Sequence, residues 1–188
     1  MPRAGLTPTR VVAEAADVAD EVGLDRLTLA AVAGRLGVSL PSLYKHVRGA
    51  DDLRRHLAVL GLDELTLELS RASVGTAGRD ALHAVAGAYR RYAHRRPGLI
   101  AATLQAPDPD DAEHLKAATL TLEVLSAALR GYRLDEAQEI DAIRSLRAVL
   151  HGFVTLEAAG GFGLPRSVEA TFARLIDGLD LTFTSWSA

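Results

Sequence analysis

The chain contains no cysteine, and this absence removes several kinds of chemistry at once. Disulfide scaffolds, thiol catalysis and zinc or iron–sulfur sites with cysteine ligands are all excluded.

No apolar run approaches the roughly 18 residues that a membrane-spanning helix requires, and the first residues lack the apolar core of a signal peptide. We therefore expect no membrane association and a cytoplasmic location.

Lysine and aromatic residues are also scarce. The 188 residues include two Lys against 19 Arg, and aromatic residues make up 5%. Residues 1–60 hold eight basic and seven acidic side chains, whereas residues 61–188 hold 13 and 17. The clearest positive stretch is 35–55. A polyanionic partner should therefore bind near the N-terminus.

Apolar residues recur at helical spacing along nearly the whole chain, and no segment shows the alternation of a strand. This pattern predicts an all-α protein of about nine helices. Three short helices form a head over residues 1–50, and a larger helical body over 51–188 is linked to it through the fourth helix. The body helices are predicted near 78–95, 98–104, 110–132, 135–158 and 167–184.

The head contains the spacing of a helix-turn-helix. Thr28 can cap a short helix that ends at Gly37, and Ser39 can cap a further helix over Leu40 to His46 after a tight turn. The second helix of such a pair can lie in the major groove of DNA. An ordinary helical hairpin with a solvated polar face has the same spacing, so this pattern alone leaves both interpretations open.

The last helix of this pair has an unusual outer surface. Leucine and proline side chains can contact thymine methyl groups, serine and lysine can hydrogen-bond base edges, and tyrosine and histidine can bind phosphates. Leu43 and Val47 can anchor the helix to the core. The side chains free to face DNA are Leu40, Pro41, Ser42, Tyr44, Lys45 and His46.

The segment LTLAAVAGRLGVSLPSLYKHV, with the helix before it and Asp-Asp-Leu after it, resembles the N-terminal domain of the tetracycline-repressor (TetR) family over roughly residues 8–60. The resemblance implies a DNA-binding regulator whose recognition helix faces the bases. The predicted DNA-binding residues are Thr28, Ser39, Leu40, Pro41, Ser42, Tyr44, Lys45, His46 and Arg48.

One position departs from that family's pattern. Many members have a lysine after the recognition helix to hold a phosphate, whereas this chain has Gly49-Ala50-Asp51. Arg48, Arg54 and Arg55 are the candidates to replace it. Farther along, LRAVLHGFVTLEAAGGFGLP (residues 146–165) is similar to the segment that names the WHG-type C-terminal domain of the family, but its tryptophan is absent.

The last two predicted helices suggest dimerisation because they carry more apolar surface than one contact covers. Paired helices from two copies would form a four-helix bundle, and a twofold dimer would bind a palindrome with half-sites about 34 Å apart. A monomer with both helices inside is the alternative. The apolar residues are Ile140, Ile143, Leu150 and Val154 on one stripe, Leu146, Val149, Phe153 and Leu156 on the other, and Val168, Phe172, Leu175, Leu179 and Phe183 on the last helix.

The body also offers residues for a small-molecule effector of unknown identity. Large and ionisable side chains stand among many alanines on helices that bury apolar faces, and such groups can line a mostly apolar pocket. Each of them, taken alone, is explained better by packing or by a surface position than by effector binding. The predicted effector-binding residues are Tyr89, Tyr92, Leu104, His151, Phe153 and Glu157.

An enzymatic function finds no supporting motif. The chain lacks HExxH, the helical Glu-x-x-His pair, the GxSxG nucleophile elbow and the GxxxxGK phosphate loop. Its six His do not pair at helical spacing. We therefore predict no catalytic residue, no metal site and no cofactor.

The overall prediction is a homodimeric, ligand-responsive TetR-type repressor that binds a palindromic operator in double-stranded DNA. Repression is implied by the resemblance, and the same head could activate. The alternative is a dimeric small-molecule-binding protein without DNA-binding activity. That alternative predicts a head without exposed cationic groups, which Lys45, Arg48, Arg54 and Arg55 argue against.

Overall fold

The computed structural model describes residues 5–186, and every regular element within them is helical. The all-α prediction is confirmed, and the five predicted body helices lie within a few residues of the observed ones. Short 3₁₀ turns occupy Leu24–Arg26 and Arg130–Tyr132. The α-helices are α1 Pro8–Val22, α2 Leu29–Leu36, α3 Leu40–Leu43, α4 Ala50–Ser73, α5 Gly78–Arg95, α6 Pro97–Ala102, α7 Ala112–Leu129, α8 Glu136–Ala158 and α9 Val168–Trp186.

The chain packs as two compact units. Among the described residues, unit 1 comprises 5–64 and Arg96–Ala118, and unit 2 comprises Leu65–Arg95 and 119–186. This division follows from how densely the residues pack. The predicted boundary at residue 50 separates a DNA-binding from an effector-binding domain by function, and it stays a prediction.

The first helices of unit 1 begin and end as their sequence predicts. The Thr28 hydroxyl accepts the Ala31 N–H at 3.1 Å and so caps α2. At the other end, Gly37 adopts the left-handed conformation with φ 66°, and the N–H of Val38 reaches the Ala33 carbonyl at 3.0 Å. Any residue with a Cβ atom would be strained in that conformation, so the turn between α2 and α3 depends on this glycine.

The prediction for α3 was wrong in two details. The helix ends at Leu43, before the predicted His46, and a turn follows in which the His46 N–H donates to the Leu43 carbonyl at 2.9 Å. The Ser39 hydroxyl does not cap the helix. It pairs with the Ser42 hydroxyl at 2.9 Å, because the two side chains lie one turn apart on the same face. The predicted anchors Leu43 and Val47 are buried.

Unit 1 also contains a close junction between α1 and α6. A Cβ atom on Gly98 would lie 2.4 Å from the Ala19 carbonyl carbon, so the two backbones approach as only glycine allows. The Asp20 carboxylate accepts the N–H groups of Gly98 at 2.7 Å and Leu99 at 3.4 Å, and burial raises its pKa. These contacts attach the start of α6 to α1.

In unit 2, α8 begins with a capping box in which Asp135 and Gln138 each bond the other's backbone N–H. Its buried face includes Leu150 and Val154 from one predicted stripe and Leu146 and Phe153 from the other, so the two stripes do not form two separate faces. Ile140 and Leu156 are exposed. Phe172 and Phe183 of α9, expected on a dimer face, are buried inside the unit. Within residues 5–186, no helix is both long and apolar enough to cross a membrane.

Candidate DNA-binding surface and effector-binding residues

The predicted DNA-binding residues from Ser39 to Arg48, here called the recognition segment, lie together on the surface of unit 1. Leu40 is 37% and Tyr44 52% exposed, and Lys45 is exposed as well. Ser42 and His46 are half-buried, whereas Ser39, Pro41 and Arg48 face solvent. The segment therefore presents apolar, hydroxyl and cationic groups side by side, as base and phosphate contacts require.

Thr28 and Arg35 flank this segment and already have partners. The Thr28 hydroxyl caps α2 while the residue stays exposed. The Arg35 guanidinium binds Glu21 at 2.5 and 2.7 Å and Glu14 at 3.1 Å. Because these carboxylates neutralise Arg35, this residue adds little net positive charge to the stretch 35–55.

The three arginines proposed to replace the phosphate-binding lysine each face a carboxylate. Arg48 is 3.2 Å from Asp52, and Arg54 is 4.0 Å from Asp51. Burial opposes ionisation of Asp52, but the Arg48 N–H, which donates at 2.8 Å, and the Arg48 guanidinium outweigh it and hold the pKa of Asp52 below the usual value. Each pair lies within the first turns of α4 or just before it.

Arg55 makes the most extensive of these contacts. Its guanidinium donates to both Asp111 oxygens at 2.5 and 2.7 Å and to Glu113 at 2.7 Å. These bonds raise the pKa of Arg55 and lower that of Asp111. Residue spacing could not reveal this cluster, because Arg55 and Asp111 are far apart in the chain. Arg55 is thus committed to the fold and is the weakest of the three phosphate-binding candidates.

Two predicted effector-binding residues of unit 2 share one charged neighbour. Burial raises the pKa of Tyr89 on α5 to about 12, and the charge of Arg147 opposes that shift. Burial lowers the pKa of His151 on α8, and Arg147 adds to the effect. The His151 Nε2 atom contacts the Thr155 hydroxyl at 3.3 Å, while its buried Nδ1 has no hydrogen-bond partner among residues 5–186.

Phe153 and Glu157 belong to a second cluster centred on Arg90, which sequence inspection missed. The Arg90 guanidinium binds Glu157 at 2.6 and 2.9 Å, contacts Glu169, and lies 5.5 Å from the ring centre of Phe153 and 4.8 Å from that of Phe172. Arg90 with His94 holds the pKa of Glu157 below its usual range. Because Arg90 stands in the run AYRRYAHRR, no local signal distinguishes it from its exposed neighbours.

The two remaining effector candidates differ in burial. Tyr92 is fully buried in unit 2. Leu104 belongs to unit 1 and is exposed. Phe153 and Glu157 thus share contacts with Arg90, whereas Tyr89 and His151 have in common the charge of Arg147. Leu104 belongs to unit 1 and the other predicted residues belong to unit 2.

A family model described as "Tetracyclin repressor-like, C-terminal domain" matches residues 82–179. A curated Mycobacterium tuberculosis protein, the uncharacterized HTH-type transcriptional regulator Rv0681, is 39% identical over 84% of this chain and 72% of its own length. The chain belongs to the TetR family. A second HTH-type regulator, YobS of Bacillus subtilis, is 34% identical over 86% of this chain and 84% of its own.

Solved structures agree with this TetR assignment at the level of the fold. A single-residue variant of TetR from Acinetobacter baumannii AYE, in complex with minocycline, superimposes with a TM-score of 0.76 at 22% identity over 98% of this chain and 99% of that one. Apo ActR from Streptomyces coelicolor gives a TM-score of 0.72 at 17% identity over 98% of this chain and 97% of that one. The curated relatives are named as transcriptional regulators, not enzymes. This TetR-family chain is accordingly a helix-turn-helix, DNA-binding protein of transcription regulation.

Proposed function

We propose that this chain is a ligand-responsive repressor that binds a palindromic operator as a homodimer. The recognition segment carries the proposal. Its short helix is anchored by the buried Leu43, yet it exposes Leu40, Tyr44 and Lys45 to solvent, so apolar and cationic groups are available together for contacts with bases and phosphates. Because a repressor acts on chromosomal DNA, the proposal also places the protein in the cytoplasm.

The DNA-binding part can be tested with the two lysines of the chain. We expect Lys45→Ala, alone and with Tyr44→Ala, to weaken binding to the protein's own upstream DNA and, because a homodimer loses this charge twice, to make the negative slope of log affinity against log salt shallower by about two. Lys116→Ala removes the same charge from an exposed site on α7 and serves as the matched control. Equal binding by Lys45→Ala and Lys116→Ala would contradict the assignment of the recognition segment.

Dimerisation is supported by two helix faces in unit 2 that are exposed although they bear small or apolar residues. A Cβ built on Gly152 of α8 or Gly178 of α9 meets no atom within 4 Å, so nothing in residues 5–186 covers these positions. A second helix can approach such faces closely. The exposed residues around the two glycines are Ala148, Thr155 and Leu156 on α8, and Leu175, Leu181 and Thr182 on α9.

A variant at one of these glycines tests the dimer. We expect Gly178→Arg to yield monomers by light scattering, with helix content unchanged because a Cβ at this position meets no atom of the described chain. Leu67→Arg, at an exposed site on α4, is the control and should remain dimeric. Operator binding by Gly178→Arg should fall as well, since one head contacts too few bases. A dimeric Gly178→Arg protein would refute this interface.

Effector binding is supported by Tyr89 and the Nδ1 atom of His151, which could hydrogen-bond a ligand beside Arg147. A fold neighbour, TetR(class A), was solved with 5a,6-anhydrotetracycline and magnesium. An effector must bind the DNA-releasing conformation more tightly, or no switch results. The test screens apolar compounds for release of labelled operator. Release from His151→Ala should require higher concentrations of the active compound, with unchanged affinity for DNA alone.

The alternative, a small-molecule-binding dimer without DNA-binding activity, predicts different results in two other measurements, thermal stability and DNA footprinting. Compounds would then stabilise the protein against heat, while footprinting of the neighbouring intergenic DNA would show no protected half-sites. Protection of two half-sites about one helical turn apart would support the operator-binding dimer. An increase of transcription on binding would identify an activator.

A further inference from the structure

A cleft of about 1050 Å³ in unit 1 is lined by two groups of opposite charge from different parts of the chain. The basic group comes from the recognition segment and the first turns of α4. The acidic group comes from residues 108–113, here called the acidic segment, which lead into α7. The basic residues are Lys45, Arg48, Arg54 and Arg55, and the acidic ones are Asp108, Asp110, Asp111 and Glu113.

Carboxylates outnumber basic side chains around this cleft. Asp51 and Asp52 also line it, so six carboxylates stand against four Lys and Arg residues. Arg48, Arg54 and Arg55 each lie within 4.0 Å of one of them. A DNA-reading segment is thus placed beside a negatively charged wall, which is the opposite of the potential that attracts phosphates.

Asp108 and Asp110 differ from the other acidic residues because no ion pair within residues 5–186 holds them. Both are exposed, and the Asp108 carboxylate accepts the Asp110 N–H at 2.9 Å. Pro107 and Pro109 restrict the backbone on either side of Asp108. The next residue, Asp111, is attached to Arg55 of α4. The two exposed carboxylates are therefore held in the same cleft as Lys45.

The negative charges of Asp108 and Asp110 can weaken DNA binding without touching the DNA, because electrostatic repulsion acts over a distance. The Debye length is about 10 Å at 0.1 M salt, so charges that do not touch a phosphate still act on it at that distance. Phosphates drawn to Lys45 would approach the acidic segment and lose part of their attraction.

We propose that Asp108 and Asp110 set the DNA affinity of the recognition segment without contacting DNA, by repelling the phosphates that Lys45 attracts. The proposal rests on the DNA-binding function and adds determinants outside the helix-turn-helix. It also gives the acidic segment a regulatory consequence: a displacement of this segment changes the affinity for DNA even when the recognition segment stays in place.

The test replaces both carboxylates by isosteric amides. We expect Asp108→Asn/Asp110→Asn to bind DNA about three- to tenfold more tightly at roughly 50 mM salt, and the gain to disappear near 1 M salt, where the Debye length is about 3 Å. Asp63→Asn/Glu123→Gln, which changes two exposed carboxylates outside the cleft, has the same net charge and should gain much less. Lys45→Ala should reduce the gain when combined with the double variant.

Binding is measured on the footprinted fragment and on a random 30-base-pair duplex. The electrostatic gain is independent of sequence, so it should appear on both. A wild-type protein that binds both duplexes equally would refute the regulator proposal, while the random duplex would still test the role of the two aspartates. Equal affinity of wild type and Asp108→Asn/Asp110→Asn, an equal gain in the control, or a gain that persists at high salt would overturn the inference.

Discussion

The two compact units each contain an arginine held by two carboxylates, and the surroundings of these arginines differ. In unit 1, Arg55 binds Asp111 and Glu113 beside an open, highly charged cleft. In unit 2, Arg90 binds Glu157 and Glu169 while its guanidinium packs on the rings of Phe153 and Phe172. The Arg90 side chain is 15% exposed and that of Arg55 is 26% exposed.

The same ion-pair chemistry therefore serves two purposes. Around Arg90, low exposure and aromatic contacts strengthen each electrostatic interaction and join α5, α8 and α9. Around Arg55, solvent and neighbouring charges screen the pair, so its contribution to stability is smaller. The Arg55 cluster instead lines an open cleft, where salt can reach its charges.

The largest effect should follow from removing the arginine of unit 2. We expect Arg90→Ala to lower the free energy of unfolding by about 2 to 3 kcal/mol, because the half-buried Glu157 would keep only His94 as a partner and the contacts of Arg90 with two aromatic rings would be lost. Arg55→Ala should cost less than half as much. Urea denaturation measures both, with the adjacent Arg91→Ala and Arg54→Ala as controls. If Arg55→Ala proved as costly as Arg90→Ala, the contrast between the units would be wrong.

A second test uses pH. Because the pKa of Glu157 is depressed in the folded state, its favourable contribution is present above its ordinary pKa near 4.5 and is lost as pH falls through the folded value. We expect wild-type stability to decline as pH falls below about 5, and Glu157→Gln to show a shallower decline. Glu169→Gln, at the exposed end of the same cluster, is the control. An unchanged slope in Glu157→Gln would show that another group governs the acid response.

The smallest effects should come from local hydrogen bonds in unit 1. Thr28→Ala removes the cap of α2 and should cost about 1 kcal/mol, whereas Ser39→Ala removes a hydroxyl that caps nothing and should cost less than about 0.5 kcal/mol. Thermal unfolding of the two variants provides the comparison. A larger loss in Ser39→Ala would mean that the Ser39–Ser42 contact stabilises the recognition segment more than we expect.

Much of the fold could be predicted because its signals are local. Helical periodicity located α5 to α9, and Gly37 marked the end of α2 because glycine adopts the left-handed conformation without strain. The recognition segment was equally accessible, since its anchors and outward residues lie within ten consecutive positions. The end of α3 could not be predicted in the same way. Whether a short helix continues or gives way to a turn depends on hydrogen bonds, which the apolar periodicity does not reveal.

The chain's own residue order determined the helices, the helix-turn-helix and the family, since each depends on neighbours a few positions apart. Tertiary structure alone decided which charges meet. It brought Arg55 to Asp111, Arg90 to Glu157 and Asp20 to Gly98 across long separations, and it placed acidic residues beside Lys45. The positions of carboxylates and guanidinium groups along the chain follow no period that would indicate their partners, so only packing selects one partner among many.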